Sequence, residues 1–193
     1  MNQPHFSLEE LDVAIKAARE GDLAAFERIV FFFERPLFGY VSRMISVRED
    51  AEDIVQECFI KMYKKLSTYN PDQSFKTWVY AIATNTVYDF LRSKRVKKES
   101  LTLDAHEADS DSGQNETKDL SDTYEIIERE MDISRGLVEI KPAYRTVLLL
   151  FYKEELSCDA IADMLQIPIG TVKTNLFRAR KALKLALGDI YSP

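Results

Sequence analysis

Glycine and proline are scarce in this 193-residue chain, six of each, and strand-like alternation of any length is missing. That excludes a turn-rich all-β architecture. Only two cysteines occur, Cys58 and Cys158, a hundred residues apart and each among apolar helical neighbours. Two buried reduced thiols are expected, not a bridge, which fits a cytoplasmic protein. Histidine is equally sparse: His5 lies near the N-terminus and His106 in a polar stretch, and no carboxylate pair or nucleophile forms a recognisable site. The chain therefore reads as no enzyme, with no metal and no cofactor. Its longest apolar run, Val147 to Tyr152, is far shorter than the ~20 residues that span a bilayer. Met1-Asn2-Gln3-Pro4-His5 carries neither the basic nor the apolar part of a secretion signal. There is no internal repeat and no glycine-rich phosphate loop.

What the chain does have is apolar bulk, 46% hydrophobic and 11% aromatic, ample for packed helical cores. Its net charge of −6 looks wrong for a nucleic-acid binder until it is divided. Residues 99–122 hold eight acids against Lys118 alone, a net of −7, so the remainder is +1. The positive charge concentrates at 92–98 and 173–184. The acidity belongs to one segment and leaves DNA open as a partner, though it argues for weak affinity in the free chain.

Taken in order, Ser7-Leu8-Glu9-Glu10 is a capping box opening a helix that Gly21 ends. Asp22 caps a second helix with Leu23, Phe26, Ile29, Val30 and Phe33 on one face. Pro36 suits the first turn of a third, carrying Leu37, Tyr40, Val41 and Met44. A fourth, roughly 49–66, turns Val55, Phe59, Met62 and Leu66 inward and Asp53, Gln56 and Glu57 outward. From Glu99 to about Thr123 periodicity disappears and Ser, Asp, Glu, Gly, Asn and Gln dominate, the pattern of a flexible linker. Helical patterning returns from Tyr124 to about Glu139 and again from Pro142 to Tyr152. The expected architecture is all-α, two small helical domains (1–98 and 124–193) joined by an acidic linker at 99–123.

The stretch from Ser74 to Lys98 is the most informative. Phe75, Trp78, Val79, Ile82, Ala83, Thr86, Val87, Phe90 and Leu91 form one wide apolar stripe, on which Trp78 is a core residue. On the other side Lys76, Tyr80, Thr84 and Tyr88 make one i, i+4 row, and Asn85, Asp89 and Arg92 the next. Five cations follow within Arg92–Lys98, Arg95 among them. Phenol, hydroxyl and amide groups ending in a cation cluster suit an unpaired nucleic-acid strand, with rings stacking on bases and cations holding phosphates. An ordinary amphipathic helix with a basic last turn would look the same from periodicity alone.

Near the C-terminus Ser157 caps a short helix with Ile161, Ala162 and Leu165 inward. A turn, Gln166 to Gly170, leads to a longer helix from Thr171 with Val172, Leu176, Ala179 and Leu183 on one side. Its other side presents Lys173, Thr174, Asn175, Arg178, Arg180, Lys181 and Lys184. A small residue, a tight turn and a one-sided basic helix describe a helix-turn-helix whose second helix can enter a major groove.

With these residues in view, the chain resembles the extracytoplasmic-function (ECF) class of bacterial RNA polymerase sigma factors over nearly its whole length. Asp50-Ala51-Glu52-Asp53-Ile54-Val55-Gln56-Glu57 is similar to the family's region 2.2, and Phe75 to Asn85 to its regions 2.3 and 2.4. Pro142 to Val147 and Ile169 to Arg180 are similar to its region 4. The resemblance implies that Asp50, Asp53, Gln56 and Glu57 dock on the β′ clamp helices of the polymerase core, with the β flap a further contact. It implies that Lys76, Tyr80, Thr84, Asn85, Tyr88, Asp89, Arg92 and Arg95 hold the non-template strand of the −10 element, Asn85 taking an extruded base. Thr171, Lys173, Thr174, Phe177, Arg178, Arg180 and Lys181 would read the −35 duplex. An anti-sigma factor is a further partner the resemblance implies. Asn175 stands where many relatives carry a basic residue, and Gln166 where many such turns carry glycine. An autonomous helix-turn-helix regulator is the competing expectation, and it differs in binding duplex without polymerase.

Overall fold

Short polar residues set where the helices begin. The Ser7 side chain accepts from the Glu10 N–H, and the Glu10 carboxylate accepts from the Ser7 N–H at 2.7 Å, closing the expected capping box. Helix α1 (Leu8–Arg19) ends at Glu20, and Gly21 then adopts φ +99, a conformation that glycine takes at no steric cost. Asp22 caps α2 (Leu23–Met44) by accepting from the Ala25 N–H. The computed structural model describes residues 7–101, 136, 137 and 139–190, with backbone alone at 8, 97–101, 189 and 190. It continues with α3 (Arg48–Lys65), a 3-10 turn (Leu66–Thr68), α4 (Phe75–Leu101), α5 (Pro142–Tyr152), α6 (Cys158–Leu165) and α7 (Ile169–Ile190). The described residues contain no strand, and no helix among them is long and apolar enough to cross a membrane.

Pro36 does not begin a helix. It sits inside α2, which runs unbroken for 22 residues. A proline there removes one i→i−4 hydrogen bond and costs about 3 kcal/mol in a helix interior. The apolar face on either side outweighs that cost: Ile29, Phe33, Leu37, Tyr40 and Val41 are all buried, while Pro36 itself is exposed. Each fully buried aliphatic side chain contributes about 1.5–3 kcal/mol. α7 likewise starts at Ile169, two residues before the expected Thr171, because Pro168 supplies the first accepting carbonyl, to the Thr171 and Val172 N–H groups.

Ile29, Leu37, Ile54, Met62, Val79 and Ala83 lie at the centre of α1 to α4; Leu137, Leu150, Ile161, Val172 and Ala179 lie at the centre of α5 to α7. These residues belong to one continuous apolar cluster, because α4 packs on α6 and α2 on α5. Cys58 is buried, Cys158 half-buried, and both are free thiols. Helix α4 extends to Leu101, three residues into the stretch expected to be linker. The rest of 99–123 and most of the expected 124–139 helix, like His5 and His106, lie outside the described residues.

Candidate nucleic-acid interface

Helix α3 turns Asp53, Gln56 and Glu57 to solvent as expected, and it places two exposed apolar side chains, Ile60 and Tyr63, one turn further on. Asp50 differs from its three companions. It is half-buried, and its Oδ2 accepts from Lys94 Nζ at 2.5 Å, tying the start of α3 to α4. Lys61 makes the second tie between these helices. Its ammonium lies 2.8 Å from Glu57 Oε1, donates to Thr86 Oγ1 at 3.2 Å and stands 3.9 Å from Asp89 Oδ2. One cation thus orients a residue from each of the two expected binding faces.

The two polar rows of α4 have different environments. Asn85, Asp89, Arg92 and Arg95 are exposed. The row of Lys76, Tyr80, Thr84 and Tyr88, expected at the surface, is largely covered: Tyr80 and Thr84 are buried and Lys76 and Tyr88 half-buried. The Tyr80 ring packs edge-on against Tyr40 of α2, with centroids 5.3 Å apart. Tyr40 and Thr84 share a hydrogen bond between hydroxyls at 2.8 Å, and Tyr88 and Thr146 another at 2.9 Å. Lys76 Nζ donates to the Glu154 carbonyl at 2.6 Å and lies 3.7 Å from its carboxylate. Burial raises the pKa of Tyr80 well above the ordinary phenol value, and the adjacent Glu154 carboxylate raises it further. Burial raises Tyr40 too, opposed by the hydroxyls of Thr84 and Thr146. Cys58, beneath Thr86, is pushed up to about 11 by burial. Periodicity identified the polar row but not the groups that cover it.

Those covering groups were the residues that patterning missed. Arg145 lies in α5 among apolar neighbours and is itself buried, donating to the carbonyls of Met44 at 2.9 Å, Arg43 at 3.3 Å and Ile140 at 3.1 Å. Met44 ends α2, so the guanidinium sits where orphan carbonyls and the negative end of the helix dipole favour a cation. Desolvation by burial works against that stabilisation and lowers the Arg145 pKa. Glu154, in the connection after α5, is a buried carboxylate. For Arg145 the available signal was a charged residue at the start of an apolar run; Glu154, between Lys153 and Glu155, carried no such signal.

In the helix-turn-helix, Ser157 caps α6 by accepting from the Ala160 N–H, and Gln166 ends it in the left-handed region with φ 53 and ψ 43. The Gln166 amide donates to the Asp163 carbonyl at 2.6 Å, and the Ile167 N–H to Ala162. Val172, Leu176 and Ala179 are buried, so the opposite side of α7 presents Thr171, Lys173, Thr174, Arg178, Arg180 and Lys181 to solvent. Phe177 stands among them at 65% exposure, too high for a packing residue. Asn175 is half-buried at the edge of this face. A helix with a solvated cationic side and one free aromatic ring has the chemistry for a phosphate-lined groove and a thymine methyl.

Comparison with known proteins agrees with this geometry. Sigma-70 region 2 matches residues 33–96, and Sigma-70, region 4 matches residues 130–183. The ECF RNA polymerase sigma factor SigW of Bacillus subtilis is 34% identical over 91% of this chain and 96% of its own. The ECF RNA polymerase sigma-E factor of Escherichia coli K12 is 30% identical over 89% and 91% respectively. In fold, the chain is similar to the sigma factor RpoE of Bartonella quintana, solved in complex with the anti-sigma factor NepR, with a TM-score of 0.64, 22% identity and coverage of 84% and 96%. Two sigma regions in order and relatives matched over nearly their full length establish the family: the chain belongs to the extracytoplasmic-function sigma factors of RNA polymerase.

Proposed function

We propose that this chain recruits core RNA polymerase to promoters by dividing three contacts among three helices. Residues 1–98 form the unit that meets the polymerase and the −10 element, 99–123 the tether, and 124–193 the unit that meets the −35 element. On α3, Asp53, Gln56 and Glu57, with Ile60 and Tyr63 beside them, offer an acidic and amide patch around an apolar anchor to the basic β′ clamp helices. Asp50 contributes by fixing α3 against Lys94. On α4, Asn85 takes an extruded non-template base and Arg92 and Arg95 hold its phosphates, with Asp89 positioned by Lys61; Lys76 and Tyr88 stand half-buried beside the strand, and Tyr80 and Thr84, packed on Tyr40 of α2, support the helix from beneath. On α7, Lys173, Thr174, Phe177, Arg178, Arg180, Lys181 and Thr171 meet the −35 duplex, and the β flap supports this unit. The setting is the cytoplasm, and an anti-sigma factor is a partner, as the anti-sigma factor NepR forms a complex with the Bartonella quintana neighbour.

The observation that carries this reading is the one-sided α7: six polar or cationic residues and an exposed phenylalanine opposite a buried apolar edge. Transcription from a randomised promoter library with bacterial core polymerase tests it. Start sites should appear only when chain and core are both present, Arg178→Ala should erase the preference at −35, and Asn85→Ala the preference at −10. Sequence-specific duplex binding by the chain alone, with no effect of core, would refute the reading.

A further inference from the structure

One acid stands on a face otherwise suited to a polyanion. Asp89 follows Asn85 by one turn of α4, on the same row, and its side chain is 62% exposed. A carboxylate beside a strand of phosphates repels it unless its charge is offset. Two cations offset it here without occupying the group. Lys61 Nζ of α3 lies 3.9 Å from Asp89 Oδ2, and Arg92 Nη1 lies 3.9 Å from Oδ1. Both distances exceed hydrogen-bond reach, so neither cation takes a lone pair from the carboxylate while both lower its field.

Two nearer partners keep Lys61 from collapsing onto Asp89. Its ammonium is 2.8 Å from Glu57 Oε1 and donates to Thr86 Oγ1 at 3.2 Å. Thr86 is fixed in turn: it is buried and spends its own proton on the Ile82 carbonyl at 2.8 Å, so it meets Lys61 as an acceptor. A carboxylate serving only the helix would bond directly to Arg92, three residues on, and at 3.9 Å that bond is not made. The arrangement leaves a charge-compensated acceptor open to solvent.

The chemistry of unpaired bases says what such an acceptor can do. A carboxylate accepts and never donates. On their pairing edges adenine and cytosine each offer an amino group, and guanine offers an amino group beside an N–H. Thymine offers one N–H between two carbonyl oxygens, both of which repel a carboxylate. We propose that Asp89 is a specificity-determining residue of the −10 contact. It accepts from an amino-bearing base beside the one that Asn85 takes, and it excludes thymine there. Lys61 is its positioning residue, supplying the fixed charge that makes an acid tolerable among phosphates. The inference rests on the reading of α4 given above.

The full chain with bacterial core polymerase and a randomised promoter library tests it. Asp89→Asn, at an exposed position, replaces an acceptor with a group that also donates. It should admit thymine at one −10 position where the parent disfavours it about fivefold or more, and leave the −35 preference unchanged. Lys61→Met keeps the stem and removes the charge. Its preassembled holoenzyme should bind the parent's preferred promoter, fluorescently labelled, about fivefold more weakly at low salt, with a smaller deficit at high salt. In an Asp89→Asn background the same Lys61 change should cost less than about twofold, a rescue that loss of packing would not show. Lys61→Gln, which retains a donor for Thr86, takes its place if Lys61→Met melts early by circular dichroism. Thymine still excluded by Asp89→Asn, or a Lys61 deficit that Asp89→Asn does not rescue, overturns the inference. The α4 reading survives that result if Asn85→Ala still erases the −10 preference, and falls with it if Asn85→Ala does not.

Discussion

The Tyr40–Thr84 hydrogen bond is a buried neutral pair whose energetics can be worked out before measurement. Both side chains are almost fully removed from water, and their hydroxyls are 2.8 Å apart. The net contribution of such a bond is about 0.5–1.5 kcal/mol, but stranding one buried hydroxyl costs about 1–3 kcal/mol. Tyr40→Phe leaves the Thr84 hydroxyl to its own helix, where it can turn back to the carbonyl four residues earlier. Thr84→Val takes from the buried Tyr40 hydroxyl its partner at 2.8 Å. Each single change should therefore cost about 1–2 kcal/mol, at the low end of the stranding penalty. The double change replaces both partners with apolar groups of nearly the same shape and should cost no more than the worse single one, giving a coupling of about 1–2 kcal/mol. Urea unfolding of the four proteins followed by circular dichroism, with unchanged m values, measures this. Strict additivity, or single changes costing under ~0.3 kcal/mol, would refute the idea that the α2–α4 contact is specified by a hydroxyl pair.

Alkaline pH should destabilise the same region. Tyr40 and Tyr80 hold their protons above the unfolded phenol value, so their contribution is complete below about pH 10 and is lost as pH rises past it. Each such tyrosine removes about 1.4 kcal/mol per pH unit in that window; helix loss and phenolate absorbance at 295 nm should rise together, whereas all nine tyrosines ionising near pH 10 with the helices intact would contradict the burial argument. Replacing Pro36 with alanine restores an N–H inside α2 at an exposed position and should raise stability by about 1–3 kcal/mol in thermal or urea unfolding. Gln166 sits at φ 53, so Gln166→Val should cost about 2 kcal/mol in the same assays, while Gln166→Gly should be at least as stable as the parent.

Much of the fold was legible because its signals are local. Ser7, Asp22 and Ser157 cap the helices they precede, and Gly21 and Gln166 end helices in the left-handed region. Each depends on residues within four positions, the distance over which side chains compete for orphan backbone groups. Pro36 was misread for the same reason: the local rule favours a helix start, while the burial of Phe33, Leu37 and Tyr40 against α4 and α3 that overrides it is a tertiary effect. Likewise α3 and α7 disclosed their outward faces, since a solvated face needs no partner to be recognised.

The α4 row shows where that kind of legibility stops. A 3.6-residue period says which side of a helix is polar; it does not distinguish water, a nucleic-acid strand or another part of the chain as the occupant. Lysine, phenol and hydroxyl groups are satisfied equally well by phosphates and base edges or by Glu154 and Thr146, which lie 78 and 58 residues away from their partners. That ambiguity is chemical. Arg145 marks the same limit from outside the row: its guanidinium binds the carbonyls of Arg43 and Met44 at the end of α2, a contact between residues about a hundred positions apart that no period within one helix records.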